Sequence, residues 1–401
     1  MRSTWEFITP QRIVFGNGSL NKLDSILQDL DAKNVLLVTD EGIKKAGIAG
    51  QVEQMLLDRG YKLVIYDEVE PEPSTKSILQ GYEYVKGQMD TDAVIALGGG
   101  SSIDTAKIIS LLIAHGGHPL DYYGGENKVP GPISPLIAIP TTAGTGSEVT
   151  SVAVITDENN DLKVGISDNQ LRATVALIDP ELTLGLPPYI TACSGIDALA
   201  HAIEAYTAKS FKYIEAGEKI VFQGSFPLGD TFAFQAIELI ANNLRLAVQQ
   251  GNNLDARSNM LLGSLLAGLA FSNAGTAAAH ALAYPIGALT SSPHGEVTGL
   301  LLPYVMQYNT SVEIEKMVKI ASAFGVNVNN LTTKEAANAA HKSVLELIDD
   351  IGLPTRLSSI GIKESDISVI AQKGLEIDRL IRNNPRDPKL EDFKSLLAKA
   401  L

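Results

Sequence analysis

Asp197 and His201 lie four residues apart in SGIDALAHAIEAY, residues 194–206, a stretch dense in good helix formers. That spacing puts a carboxylate and an imidazole on one helix face, a turn apart. Alanine, leucine and isoleucine surround the pair, and a buried carboxylate needs a hydrogen bond, an ion pair or a metal. On these residues alone, an Asp–His hydrogen bond inside a helical core is as good a reading as a metal site. Two more histidines follow in similar surroundings. His280 sits in GTAAAHALAYP, expected to be helical, and His294 in SSPHGEV, expected to be a loop opening onto a helix. One carboxylate and three imidazoles form a borderline-to-hard donor set suited to Fe2+ or Zn2+. His115 and His118, in a polar glycine turn, and His341, on a charged helical stretch, read as solvated.

Two loops in the first half suggest nucleotide binding. LGGGSSIDTAK, residues 97–107, follows an apolar run. Gly98, Gly99 and Gly100 let the backbone approach an anion, and Ser101 or Ser102 can cap the helix that follows, whose dipole favours a pyrophosphate. The pattern is not the GxGxxG fingerprint, and a glycine-rich turn without a ligand is the alternative. PTTAGTGSEVT, residues 140–150, brings Thr141, Thr142, Thr145, Ser147 and Thr150 into one loop. Two such loops at neighbouring strand ends can enclose phosphates and a sugar. Asp40 closes VLLVTD, where it can accept from a ribose 2′-hydroxyl, favouring NAD over NADP, or cap the next helix.

The elements that must position these groups fall into two halves. Apolar runs at 35–39, 63–66, 93–97 and 135–139, with helical patterns at 43–58, 74–89 and 101–113, predict a parallel sheet covered by helices. Ligands of such sheets bind at the carboxyl ends of the strands. Residues 151–166 read as a β-hairpin with its turn at 158–161 and Lys163 on the returning strand, and VALID, 175–179, as a further strand. Beyond Pro187 helices dominate, at 191–208, 231–249, 255–270, 313–324, 334–351 and 391–400, interrupted by an irregular insertion at 209–230. The pattern therefore predicts an α/β domain with a parallel sheet, 1–184, carrying the two candidate nucleotide loops, followed by an all-α domain, 185–401, carrying the candidate metal residues.

Composition excludes several function classes. The chain has 401 residues, 45% hydrophobic and 19% charged, enough for two ordinary domains with substantial cores. With 32 basic and 46 acidic residues the formal charge is −14, which argues against binding nucleic acid or an anionic membrane through bulk charge. The single cysteine, Cys193, rules out an intrachain disulfide framework. No basic segment followed by an apolar run opens the chain, and no apolar stretch reaches membrane-span length, so a cytoplasmic location is expected.

These residues resemble the iron-containing, or group III, alcohol dehydrogenases. GGGSSIDTAK, PTTAGTGSEVT, GIDALAHAIEAY, FSNAGTAAAHALAYPIGA, SPHGEVTGLLLPYVMQYN and NNPRDPKLED match in order and spacing along the whole chain. The resemblance implies the dehydroquinate synthase-like fold, with an active-site cleft between the two domains. It implies Asp197, His201, His280 and His294 as ligands of Fe2+, in some members Zn2+, and a homodimer or larger homo-oligomer. Family cofactor contacts map onto Asp40, Gly98, Gly99, Gly100, Ser101, Asp104, Thr141, Thr142, Thr145, Ser147 and Lys163. Phe271 matches an aromatic residue lining the nicotinamide or substrate pocket. The implied reaction is reversible hydride transfer between a small alcohol or aldehyde and nicotinamide C4.

Three departures bear on the substrate. Tyr284 stands where many members carry a second histidine, and a tyrosine hydroxyl can take its place in proton transfer. HGEVTG after the fourth ligand places Glu296 near the cleft. The 209–230 insertion is longer than the family norm, and FQGSFPLGD resembles the hydroxyacid–oxoacid transhydrogenase branch, which acts on carboxylate-bearing substrates such as 4-hydroxybutyrate. The alternatives are thus a transhydrogenase or 4-hydroxybutyrate-type dehydrogenase, or a metal-independent reductase. A lyase of the dehydroquinate-synthase type needs basic residues that have no place here. The four-ligand set argues against a silent nucleotide-binding protein. Lys209, Lys212 and Arg245 read as surface charge or anion contacts.

Overall fold

The computed structural model describes residues 1–158, 162–215 and 220–401. Three of the four positions of the expected 158–161 turn, and 216–219 of the insertion, lie outside them. Six parallel strands form the sheet of the first half: β1 (Arg12–Phe15), β2 (Asn34–Val38), β3 (Lys62–Tyr66), β4 (Ala93–Gly98), β5 (Leu136–Pro140) and, after an antiparallel pair, β8 (Val175–Ile178). Their order is β1-β8-β5-β4-β2-β3. Alternate residues of one strand enter different cores. Leu36, Val38, Val94 and Ala96 pack on one face, while Val35, Leu37, Ala93, Ile95 and Leu97 pack on the other. Both faces are covered by helices, which is why these strands read as unbroken apolar runs.

The helices of this half are α1 (Leu23–Asp29), α2 (Glu41–Lys45), α3 (Ile48–Asp58), α4 (Thr75–Lys86) and α5 (Gly100–His115). The helix expected at 43–58 breaks in two at Gly47, whose φ of +80° leaves the helical region. Strand β1 was not expected. It is a four-residue edge strand with no fully buried position, and it pairs with β8 from Arg12–Val175 to Phe15–Ile178. The expected hairpin is β6 (Val152–Asp157) with β7 (Leu162–Ser167), antiparallel and separate from the main sheet.

The second half is helical: α6 (Pro188–Thr207), α7 (Pro227–Gln249), α8 (Leu254–Ala274), α9 (Ala278–Thr290), α10 (His294–Asn309), α11 (Ile314–Ala323), α12 (Thr333–Asp350), α13 (Ile367–Leu375), α14 (Asp378–Ile381) and α15 (Leu390–Ala400). The last sheet residue is Ile178 and α6 begins at Pro188, so the boundary expected at 184/185 falls in the segment joining them. Alanine and glycine are frequent in α6, which allows α7, α8 and α10 to pack closely around it. Where α10 starts, a Cβ on Gly295 would lie 2.1 Å from the Cys193 carbonyl oxygen. Only glycine permits that approach, and it brings His294 against Asp197. Among the described residues, no single helix is long and apolar enough to cross a membrane.

The two halves are joined by Arg172. Its buried guanidinium donates to the Val149 carbonyl at 2.8 Å, to Ser272 Oγ and to the Ser272 carbonyl at 3.1 Å, tying the loop after β5 to α8. Burial pulls its pKa down to about 9.

Candidate active site

Helix α6 presents Asp197, His201 and Glu204 on one face, at i, i+4 and i+7. Asp197 Oδ1 lies 3.8 Å from His280 Nε2 and 4.0 Å from His294 Nε2, and one ligand atom from each of the three residues falls within 4.8 Å of the other two. His201 borders this trio, with Nδ1 3.8 Å from Asp197 Oδ2. The tightest grouping is therefore three residues, with the fourth expected ligand beside them.

The site fits a cation. His201 Nδ1 and His280 Nε2 are buried without a hydrogen-bond partner, an arrangement that is costly unless a ligand completes it. Burial pushes His294 down to about 4, against the opposing pull of Asp197, so its ring is neutral near pH 7. His201 is lowered by burial and then by neighbouring His280. Burial acts the same way on His280, but Glu204 and Asp197 outweigh it and raise that ring.

Glu204 was missed by the sequence reading. Its carboxylate accepts from the Ala277 and Ala279 backbone N–H groups, at 2.8 and 2.6 Å, which fixes the start of α9. It also meets His280 Nδ1 at 2.6 Å. With Nδ1 held there, Nε2 is left to face Asp197. Thr298 Oγ donates to Asp197 Oδ1 at 2.8 Å, orienting the carboxylate from the opposite side.

These groups floor a cavity of about 220 Å³. Of the expected cofactor residues, Gly100, Ser101, Asp104, Thr145, Ser147 and Lys163 line it. Gly98, Gly99, Thr141 and Thr142 stand at the carboxyl ends of β4 and β5 without lining it. There the Thr141 N–H donates to the Gly98 carbonyl at 3.0 Å, so the two loops do converge. Neither serine caps α5. The position before its first residue is Gly99, with no side-chain cap. Ser101 Oγ instead donates to the Pro71 carbonyl, and Ser102 Oγ to Asp40 Oδ2 at 2.8 Å. Asp40 does cap α2, accepting from the Ile43 N–H at 3.0 Å, and lies outside the cavity lining.

Beneath the second loop is a group the sequence did not reveal. Lys107 is fully buried, donating to Ser147 Oγ, Thr150 Oγ1 and the Val152 carbonyl at 2.8–2.9 Å, and burial lowers its pKa to about 8. Ser147 and Thr150 are thus engaged inward. Asp104 accepts from Ser147 Oγ at 2.6 Å and from the Val154 N–H at 2.9 Å. Glu148, also buried, has one oxygen without a partner and is raised by burial to about 7.

Phe271 lines the cavity, stacked on His201 with centroids 4.1 Å apart. Tyr284 lines it too, its ring 5.8 Å from that of His294. Glu296 does not. It turns to the exposed Tyr189, whose hydroxyl donates to it at 2.7 Å. Two residues past His294 on a helix is the opposite side, which is why it misses the cleft. The insertion contributes Phe222 to the wall. Lys209 pairs with Asp387 and Arg245 with Asp350, so both are surface charges. His115 is not simply solvated, since its Nε2 lies 3.1 and 3.0 Å from the Gly131 and Pro132 carbonyls.

Comparison with known proteins agrees with this geometry. The family model described as iron-containing alcohol dehydrogenase matches residues 10–180, and that of the family's C-terminal part matches 191–401. The NAD-dependent methanol dehydrogenase of Bacillus methanolicus is 35% identical over 395 residues, spanning 98% of this chain and 99% of that one. The 1,3-propanediol dehydrogenase of Klebsiella pneumoniae is 36% identical over 398 residues, spanning 99% and 98%. A solved 1,3-propanediol oxidoreductase superposes with a TM-score of 0.93 at 35% identity, covering 99% of this chain and 100% of that one. From sheet to helical half, the chain belongs to the iron-containing alcohol dehydrogenase family and has that family's fold and alcohol oxidoreductase activity.

Proposed function

We propose that the enzyme is an Fe2+-dependent, NAD-linked dehydrogenase that interconverts a small alcohol and its aldehyde. The observation that carries this reading is the buried Asp197–His280–His294 grouping, with unpartnered imidazole nitrogens beside it, at one end of a cleft whose other end holds the β4 and β5 loops. A divalent ion supplies Lewis acidity for the alcohol oxygen, and a nicotinamide supplies the hydride acceptor. Asp197, His280 and His294 would hold the ion, with His201 as the fourth ligand, and Zn2+ suits the same donors. Asp197 would provide the one charge among the four ligands, so the ion would keep positive charge toward an oxyanion, moderated by the Glu204 carboxylate behind His280.

The protein's remaining work is positional. The uncapped first turn of α5 presents N–H groups to a pyrophosphate, and Thr145 closes over it from the second loop. Asp40 at the end of β2 meets the ribose of NAD and repels the 2′-phosphate of NADP. Phe271 offers a flat apolar wall that excludes water beside His201. The Tyr284 hydroxyl, which accepts a hydrogen bond from Arg379, holds a proton at the cleft wall.

Bound metal, measured together with NADH formation on a panel of primary alcohols, tests the proposal. Stoichiometric metal with turnover supports it. His280→Ala is expected to lose metal and turnover while NAD still binds, and turnover by the metal-free variant would remove the ion from the reaction.

A further inference from the structure

Among the described residues, the cleft wall holds one charge without a counter-charge. Lys163 pairs with Glu72, Asp104 with Lys107 at 3.9 Å, and Asp197 belongs to the metal group. Arg379, on α14, lines the same cavity, and among the described residues no carboxylate pairs with it. Nη2 donates instead to the Tyr284 hydroxyl, at 3.2 Å. A half-buried guanidinium has five donors, and one phenol oxygen leaves most of them unused. Strand β7 makes room for it, since a Cβ on Gly165 would lie 3.2 Å from the same Nη2. Tyr284 lies one helical turn after His280 on α9, and its ring is 5.8 Å from that of His294. The guanidinium is therefore one tyrosine away from the metal group. Phe222 and Phe271 provide apolar wall in the same cavity, suited to a short carbon chain.

We propose that Arg379 is the specificity-determining residue, and that the substrate is a short alcohol or aldehyde bearing a carboxylate at the end remote from the reacting carbon. The guanidinium takes the carboxylate in a two-pronged hydrogen bond, and Tyr284 sets its orientation. This rests on the dehydrogenase reading above for the reacting end of the molecule, but the Arg379 assignment can be tested apart from turnover.

With Fe2+-loaded enzyme and NAD, kcat/KM is compared for 4-hydroxybutyrate, 1,4-butanediol and 1-butanol, which differ only at the remote end. The expected preference for the carboxylate over the diol is roughly 10- to 100-fold, the range of a charged hydrogen-bonded contact. Arg379→Met should abolish that ratio and Arg379→Lys restore part of it. A diol used as well as the hydroxyacid, or an Arg379→Met variant that lowers all three substrates by one factor, would overturn the proposal. Calorimetric titration of the holoenzyme with butyrate gives a second readout. Binding weakened roughly 10-fold or more by Arg379→Met supports it, and equal binding to both proteins places the carboxylate elsewhere and refutes it. If none of the three alcohols is oxidised, the dehydrogenase reading fails, and the butyrate titration alone decides the role of Arg379.

Discussion

Glu204 and His280 meet at 2.6 Å, and the same carboxylate caps the first turn of α9. One side chain thus fixes both where His280, a proposed metal ligand, stands and which nitrogen it turns toward Asp197. Replacing Glu204 by glutamine keeps the shape but removes the charge and one acceptor. Metal affinity is expected to fall about 10- to 100-fold, read by competition with a chelator. Unchanged affinity would show that the orientation of His280 is set elsewhere.

Asp40 does two things at the end of β2, capping α2 and receiving the Ser102 hydroxyl. Asn keeps the cap and removes the charge. Asp40→Asn should therefore leave stability within about 0.5 kcal/mol while narrowing the preference for NAD over NADP about 10-fold, a loss of ~1.4 kcal/mol in discrimination. Steady-state kinetics with both nucleotides check this. An unaltered preference would confine Asp40 to its capping role.

Burial raises Glu148 from 4.5 to about 7, which makes folding pH-dependent. Below pH 4.5 the carboxyl is protonated in both states. Between 4.5 and 7 the unfolded chain ionises first, so stability falls as pH rises, by an amount on the order of 3 kcal/mol. Lys107 keeps its proton below about 8, so it does not interfere there. Glu148→Gln should remove most of the fall between pH 5 and pH 7.5, with other groups cancelling between the two proteins. Urea unfolding at both pH values measures it, and parallel behaviour of variant and wild type would contradict the assignment.

Arg172 spans the two halves through the Val149 and Ser272 carbonyls. Arg172→Met fills similar volume but leaves the Ser272 carbonyl buried and unpaired, and the Val149 carbonyl with only the longer bond from Ser272 Oγ at 3.4 Å. A loss of about 2–4 kcal/mol is expected, visible as a lower unfolding midpoint. A shift below about 0.5 kcal/mol would mean that water reaches the carbonyls.

Much of the scaffold could be read from residue types. Strands β2, β4 and β5 are apolar on both faces because helices cover both, and that leaves an unbroken signature in the chain. The four-residue β1 has half-exposed positions and so no periodicity to find. Asp197 and His201 could be placed on one face by spacing, and Glu204 follows at i+7 inside the same expected helix, so that carboxylate was readable had the face been followed one turn further. Lys107 was not. A lysine in an amphipathic stretch looks solvent-facing until Ser147 and Thr150, forty residues on, are folded over it. Arg379 hides for the same reason, because what sets it apart is the lack of an acidic neighbour in space. Glu296 erred on helix phase, since it is counted from His294, which proved to be the first residue of α10 rather than part of a loop.

The antiparallel ribbon of β6 and β7 roofs the cleft, and two of its anchors are the side chains of Lys107 and Asp104 on the Val152 carbonyl and the Val154 N–H. Both anchors rise from α5, whose opening turn is the seat argued for the pyrophosphate. A nucleotide seated on that turn would therefore bear on the same helix that holds the ceiling over the alcohol. With the pyrophosphate on that turn, the dinucleotide is expected to bind before the alcohol and to leave after the product, an order that product-inhibition patterns test; random binding would uncouple the ceiling from the nucleotide.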